Sequence, residues 1–88
     1  MYYVYVLQSE LDQGLYISFS GGLAKRLSNH QKGEVRSTVG RRPLKLIYYE
    51  AYLFELDALG REHFLKSGSG RKYLDKQLRE YFSINQRR

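Results

Sequence analysis

Apolar and polar positions along this chain follow two rhythms, and the changes between them divide it into elements. Tyr2–Gln8 is dense in Tyr and Val, the composition of a strand. Ser9–Gly14, with Asp12, Gln13 and Gly14, has turn chemistry. Leu15–Phe19 reads as a second strand, and so short a connection makes the two an antiparallel hairpin. Ser20-Gly21-Gly22 breaks the strand and places Ser20 to cap a helix. That helix runs from Leu23 to about Gln31, with Leu23 and Leu27 one turn apart. Lys32–Pro43 is a polar loop, and Leu44–Tyr52 is a third strand rich in Leu, Ile and Tyr. Glu55–Lys66 reads as a second helix, with Gly60 inside it at a cost of about 1 kcal/mol relative to Ala. Ser67-Gly68-Ser69-Gly70 predicts a turn, and Lys72–Phe82 a third helix with Tyr73, Leu74, Leu78 and Tyr81 at helical spacing.

The predicted order is β-β-α-β-α-α. Such a pattern implies an α+β fold, a small three-stranded antiparallel or mixed sheet flanked by three helices around one core. Eighty-eight residues suffice for one domain and not for two. The domain is expected over 1–82, with 83–88 as a basic tail. A domain of this size buries about 60–65% of its unfolded surface, so its core is thin.

Composition narrows the chemistry. Hydrophobic residues make up 42% and aromatics 15%, a globular profile in which nine tyrosines supply most of the rings. Cysteine is absent, which removes disulfides, thiolate metal sites and cysteine nucleophiles. Without disulfides, so small a domain reads as intracellular, and a cytoplasmic location is expected. The longest apolar run, Tyr2–Leu7, is far short of a membrane span. Fifteen Lys and Arg stand against nine Asp and Glu, and the net charge of +6 favours a polyanionic partner, most often nucleic acid. Solubility alone is the plainer explanation of that charge.

Several polar residues fall where apolar ones belong. In the second helix Ala58, Leu59 and Leu65 define the buried face, and Glu62 lies in its middle. A carboxylate there is costly unless it is paired, protonated or bound to a cation. Either an ion pair with a neighbouring Lys or Arg or a functional site accounts for it. In the first helix Arg26 and His30 are one turn apart beside the Leu23/Leu27 stripe, an arrangement suited to clamping a phosphate and moving a proton. A surface Arg beside a half-buried His is the structural alternative. Tyr5 and Tyr16 lie on the paired strands, either as core aromatics or as phenols whose pKa a nearby cation lowers.

The ordered set resembles the GIY-YIG nuclease superfamily. Tyr3-Val4-Tyr5 matches the first tripeptide and Tyr16-Ile17-Ser18 the second. Arg26, His30 and Glu62 stand where that family places its arginine, a Tyr or His, and its metal-binding glutamate. Arg36-Ser37-Thr38, Arg41-Arg42-Pro43, Leu46 to Glu50, and Arg61-Glu62 to Leu65-Lys66-Ser67 look like the small single-domain branch. That branch is related to the nuclease domain of the bacterial excision-repair incision subunit. The resemblance spans about Tyr2 to Phe82. It implies an endonuclease that hydrolyses phosphodiester bonds in DNA with one Mg²⁺ or Mn²⁺ on Glu62. Arg26 would stabilise phosphoryl charge, Tyr5 or Tyr16 would take the proton of the attacking water, and His30 would orient or relay it.

Four features depart from the pattern: Ser18 and Tyr3 replace glycines of the two tripeptides, Gly21-Gly22 replaces the Asn or Asp often found before the helix, and the family's late asparagine has no counterpart, Asn85 standing too far on. These departures motivate the alternative of a non-catalytic nucleic-acid-binding module of the same fold. In either case Arg36, Arg41, Arg42, Lys45, Lys66, Arg71, Lys72 and the Arg87-Arg88 tail are the expected phosphate contacts. A protein-interaction role for the exposed tyrosines is a third reading. No base-reading motif is visible, so shape rather than sequence is the expected basis of recognition.

Overall fold

The computed structural model describes residues 1–85. Both charged residues of the expected tail, Arg87 and Arg88, therefore lie outside the described residues. Strands β1 (Tyr2–Ser9), β2 (Leu15–Ser20) and β3 (Leu44–Tyr52) form one sheet in the order β2-β1-β3, antiparallel throughout. Helix α1 (Leu23–Lys32) joins β2 to β3, and α2 (Glu55–Lys66), α3 (Gly68–Gln77) and α4 (Arg79–Ile84) follow.

Because strand side chains alternate, β1 feeds two cores. Val4 and Val6, with Ile17 of β2, pack against Ala58 and Leu65 of α2 and Leu74 of α3. Tyr5 and Leu7 face the other way, into a cluster with Leu44, Tyr16, Leu46 and the Leu23/Leu27 stripe of α1. As the central strand, covered on both faces, β1 is buried from Val4 to Ser9. Each such apolar side chain contributes roughly 1.5–3 kcal/mol. A bulge between Val6 and Leu7 in the pairing with β3 lets Tyr48 oppose Val6 while Leu46 opposes Leu7.

Three local expectations change. Ser20 does not cap α1: its hydroxyl accepts from the Gly22 N–H at 3.0 Å, and Gly22 itself is the N-cap. The expected Ser67–Gly70 turn is the start of α3, capped by Ser67, which accepts from the Gly70 N–H at 3.1 Å. Gly70 makes this possible, since a Cβ there would lie 1.9 Å from the Phe64 carbonyl oxygen; only glycine lets α3 begin so close against α2. The single third helix is broken at Leu78, and the new direction carries the Tyr81 hydroxyl to the buried Gln8, which accepts its hydrogen bond. The loop from Lys32 to Pro43 also winds into a short 3₁₀ turn at Val39–Arg41. Gly60 leaves α2 unbroken.

Candidate active site

The hairpin register sets the first two residues. Tyr5 opposes Ser18 and Leu7 opposes Tyr16, so Tyr5, Tyr16 and Ser18 share one face of the sheet. Helix α1 crosses that face and sends down Arg26 and His30, one turn apart. The Tyr5 hydroxyl lies 2.9 Å from Nε2 of His30 and 3.4 Å from Nε of Arg26. The Tyr16 ring meets the imidazole edge-on, with centroids 5.3 Å apart. These four residues, expected from the sequence, are in mutual contact.

The hydrogen bonds around His30 define its tautomer. Nδ1 lies 2.7 Å from the Thr38 hydroxyl, which donates to the Val35 carbonyl at 3.5 Å. The Thr38 oxygen therefore accepts from Nδ1–H, which leaves Nε2 as the acceptor of the Tyr5 proton. Arg26 in turn donates to the Tyr5 oxygen. The chain reads Arg26, Tyr5, His30, Thr38, Val35, with every link donor to acceptor. His30 and Thr38 are fully buried. Burial, then the Arg26 charge, pulls the imidazole below its ordinary pKa, which keeps it neutral as this pattern requires.

The two phenols are tuned in opposite directions. Burial raises the Tyr5 pKa, and Arg26 only partly offsets it. For Tyr16 burial also acts upward, but the Ser37 hydroxyl, the Ser18 side chain and the Arg26 charge outweigh it, so this phenol lies below its ordinary value. Ser37 donates to the Tyr16 oxygen at 3.3 Å. Tyr5 is sealed, whereas Tyr16 is half-exposed.

Glu62 lies on α2, the helix that covers the opposite face with Ala58 and Leu65. It is 9% exposed, as its place in the apolar stripe implies. The Lys66 ammonium lies 3.4 Å from Oε2. No hydrogen bond, ion pair or ring contact joins Glu62 to the other four; α2 packs on β2, the edge strand that carries Tyr16. Among the described residues no group of three His, Asp or Glu gathers to hold a metal. A nearly buried carboxylate whose ion-pair partner is one half-exposed lysine still suits a hard cation that keeps most of its waters, as Mg²⁺ does.

The expected phosphate-binding residues are scattered in state. Arg36, Arg71 and Lys72 are exposed. Arg41 pairs with Asp12 at 3.3 Å, Arg42 donates to the Val39 and Gln31 carbonyls, and Lys45 lies 5.3 Å over the Tyr81 ring. Lys66 is the partner of Glu62.

Thr38, Ser37 and Ser18 complete the cluster and were not picked out from the sequence as site residues. Ser37 and Thr38 lie in an aperiodic loop, where no pattern marks which hydroxyl turns inward. A second polar network also sits on the α2 face. Glu50 accepts from Tyr48, from Tyr52 at 2.6 Å, and from both arms of Arg61 at 2.8 and 3.0 Å. Arg61 also lies on the Phe64 and Tyr73 rings, with its central carbon 5.0 and 4.4 Å from their centroids. With all its partners internal, this network reads as a brace between β3, α2 and α3.

The family model of the GIY-YIG catalytic domain matches residues 1–85. A UPF0213 protein of Clostridium perfringens is 37% identical over 67 residues, which cover 75% of this chain and 71% of that protein. A UPF0213 protein of Natronomonas pharaonis is 38% identical over 72 residues, 81% of this chain and 84% of the relative. One from Lactiplantibacillus plantarum is 42% identical over 74 residues, 77% and 69% of the two chains. No solved structure matches.

Proposed function

The chain belongs to the GIY-YIG catalytic domain family, which implies nuclease-type chemistry on nucleic acid, and from that premise we propose that it hydrolyses phosphodiester bonds in DNA with one divalent cation, Mg²⁺ or Mn²⁺. The observation that carries this reading is the Arg26 guanidinium laid across Tyr5 and Tyr16, with a neutral His30 locked behind them.

Of the five N–H groups of a guanidinium, the phenols occupy only part. The remainder suit the oxygens of a phosphate, where negative charge grows during attack. Tyr16 is the better base of the two phenols. It is the one water can reach, its pKa is lowered, and its oxygen already accepts from Ser37. Tyr5 gives its proton to His30 and serves to hold Arg26 in place. Glu62 would hold the cation, which when bound would neutralise charge on the phosphoryl oxygens. Since α2 and α1 lie on opposite faces, a phosphate served by both groups would sit at the β2 edge.

The decisive experiment is a cleavage panel in Mn²⁺ and in Mg²⁺ on branched, flapped and plain DNA. Wild type is expected to cut. Glu62→Ala and Arg26→Ala are expected to lose cutting while they retain a cooperative thermal transition. Cutting that survives Glu62→Ala would refute the assigned cation ligand. A second reading, a binding module without hydrolysis, is favoured by one observation: Glu62 is engaged by Lys66 and shares no hydrogen bond or ion pair with the other four. Under it, no metal restores cutting, yet DNA affinity falls steeply between low and moderate salt.

A further inference from the structure

On the face that carries Tyr5 and Tyr16, β1 continues past the cluster to Tyr3, and a second concavity opens there. It is a groove of about 570 Å³ walled by Tyr3, Tyr49, Leu46, Lys25 and the Gly21-Gly22 pair. The rings of Tyr3 and Tyr49 stand with centroids 6.1 Å apart and planes tilted by 59°. Tyr49 is 53% exposed, so a rigid ring anchored on a strand presents much of its surface to water. Such rings are the usual platforms for unpaired bases.

The groove borders the Tyr5 cluster on the same face of the sheet. Tyr49 pairs directly with Tyr5 across the strands, and Tyr3 lies two residues from Tyr5, roughly 7 Å along β1. Since β1 lies between β2 and β3, about 10 Å of sheet separates the β2 edge from Tyr49, and a nucleotide one or two steps along a strand from a phosphate at Arg26 is within reach of this platform. Packing does not demand glycine in the wall: a Cβ at Gly22 would meet nothing within 4 Å, and one at Gly21 only the Tyr2 ring at 3.7 Å. Neither has a left-handed backbone. The pair keeps one side of the groove bare, and Lys25 adds a positive charge. Tyr3 and Gly21-Gly22, two of the departures from the family pattern, thus meet in one place.

We propose that this groove is a stacking subsite for an unpaired nucleobase of a single-stranded segment, seated on Tyr49 and Tyr3 one or two nucleotides from the phosphate held at Arg26, with Lys25 on a neighbouring phosphate. The proposal rests on the reading of Arg26 as a phosphate site and adds the substrate class. Every base has a π face, so the subsite selects for lack of pairing rather than for sequence.

The chain contains no tryptophan, so Tyr49→Trp introduces a single indole into an exposed position and keeps the stacking surface. It is titrated in EDTA, where no cleavage occurs, with oligothymidylate and with a blunt duplex. The single strand is expected to quench the indole and the duplex is not. Tyr49→Ala is expected to bind the single strand about 10-fold more weakly. Absence of quenching, equal quenching by the duplex, or undiminished binding by Tyr49→Ala overturns the proposal. Because the readout needs no metal, Glu62→Ala made in the Tyr49→Trp protein is expected to be quenched as Tyr49→Trp alone is. A protein that stacks single strands but cuts nothing loses the hydrolytic reading alone, and one that cuts without quenching loses this one alone.

Discussion

The Tyr5 hydroxyl stands 2.9 Å from Nε2 of His30, and both side chains are closed to solvent. A buried phenol and a buried imidazole are each costly unless every polar atom finds a partner. Here Arg26 supplies one end of the chain and Thr38 the other, so four side chains from β1, α1 and the following loop stabilise one another.

Thr38 is the hidden member. In Thr38→Val the shape is kept and the acceptor of the His30 Nδ1–H is lost. The expected cost is on the order of 1–3 kcal/mol, read as a lower urea midpoint. An unchanged midpoint would remove Thr38 from the chain.

His30 also makes stability depend on pH. Burial, and then the Arg26 charge, depress its folded pKa. As pH falls below the unfolded value of about 6.5, the unfolded chain takes up a proton that the native imidazole refuses. The unfolded state then binds more protons, so stability falls with falling pH. The contribution is fully present above the unfolded pKa and is lost as pH drops through the lower folded value. Between about pH 7.5 and pH 5.5, wild type is expected to lose more stability than His30→Asn. Equal losses in urea titrations would point to another group.

The phenols separate by kinetics. If Tyr16 takes the proton of the attacking water, Tyr16→Phe loses about 10²–10⁴ in single-turnover rate. Tyr5→Phe keeps the ring but frees Arg26, and is expected to lose less. The reverse order would make Tyr5 the base.

Two glycines of the helical region are expected to respond in opposite ways. At Gly70 a Cβ meets backbone, the Phe64 oxygen at 1.9 Å and the Leu65 Cα at 2.4 Å. Gly70→Ala forces α3 off α2 and is expected to destabilise by about 3 kcal/mol or more. At Gly60 nothing lies within 4 Å. Gly60→Ala is expected to stabilise by about 1 kcal/mol through helix propensity. Chemical denaturation of both variants checks the pair.

Among the described residues, the two carboxylate–arginine pairs outside the cluster differ in the same graded way. Glu50→Ala strands Arg61 and two tyrosine hydroxyls and is expected to cost about 1–3 kcal/mol. Asp12 faces solvent beside Arg41, and Asp12→Ala is expected to leave the melting temperature nearly unchanged. A larger loss for Asp12→Ala would reverse this ranking.

Local pattern alone determined much here. The Tyr- and Val-rich run Tyr2–Gln8, the Asp12–Gly14 turn and the Leu23/Leu27 stripe specified a hairpin and a helix, because strand composition, turn chemistry and helical period are expressed by neighbouring residues without help. The same periodicity placed Glu62 among buried aliphatics and Arg26 one turn from His30. Tertiary structure decided what no period records. It put α1 and α2 on opposite faces of β1, began α3 where a glycine lets two helices touch, and bent the chain at Leu78 so that Tyr81 reaches Gln8. It also turned Thr38 of an aperiodic loop onto His30. These are contacts between residues far apart in the chain, and their geometry is settled by packing and by the need to satisfy buried polar atoms.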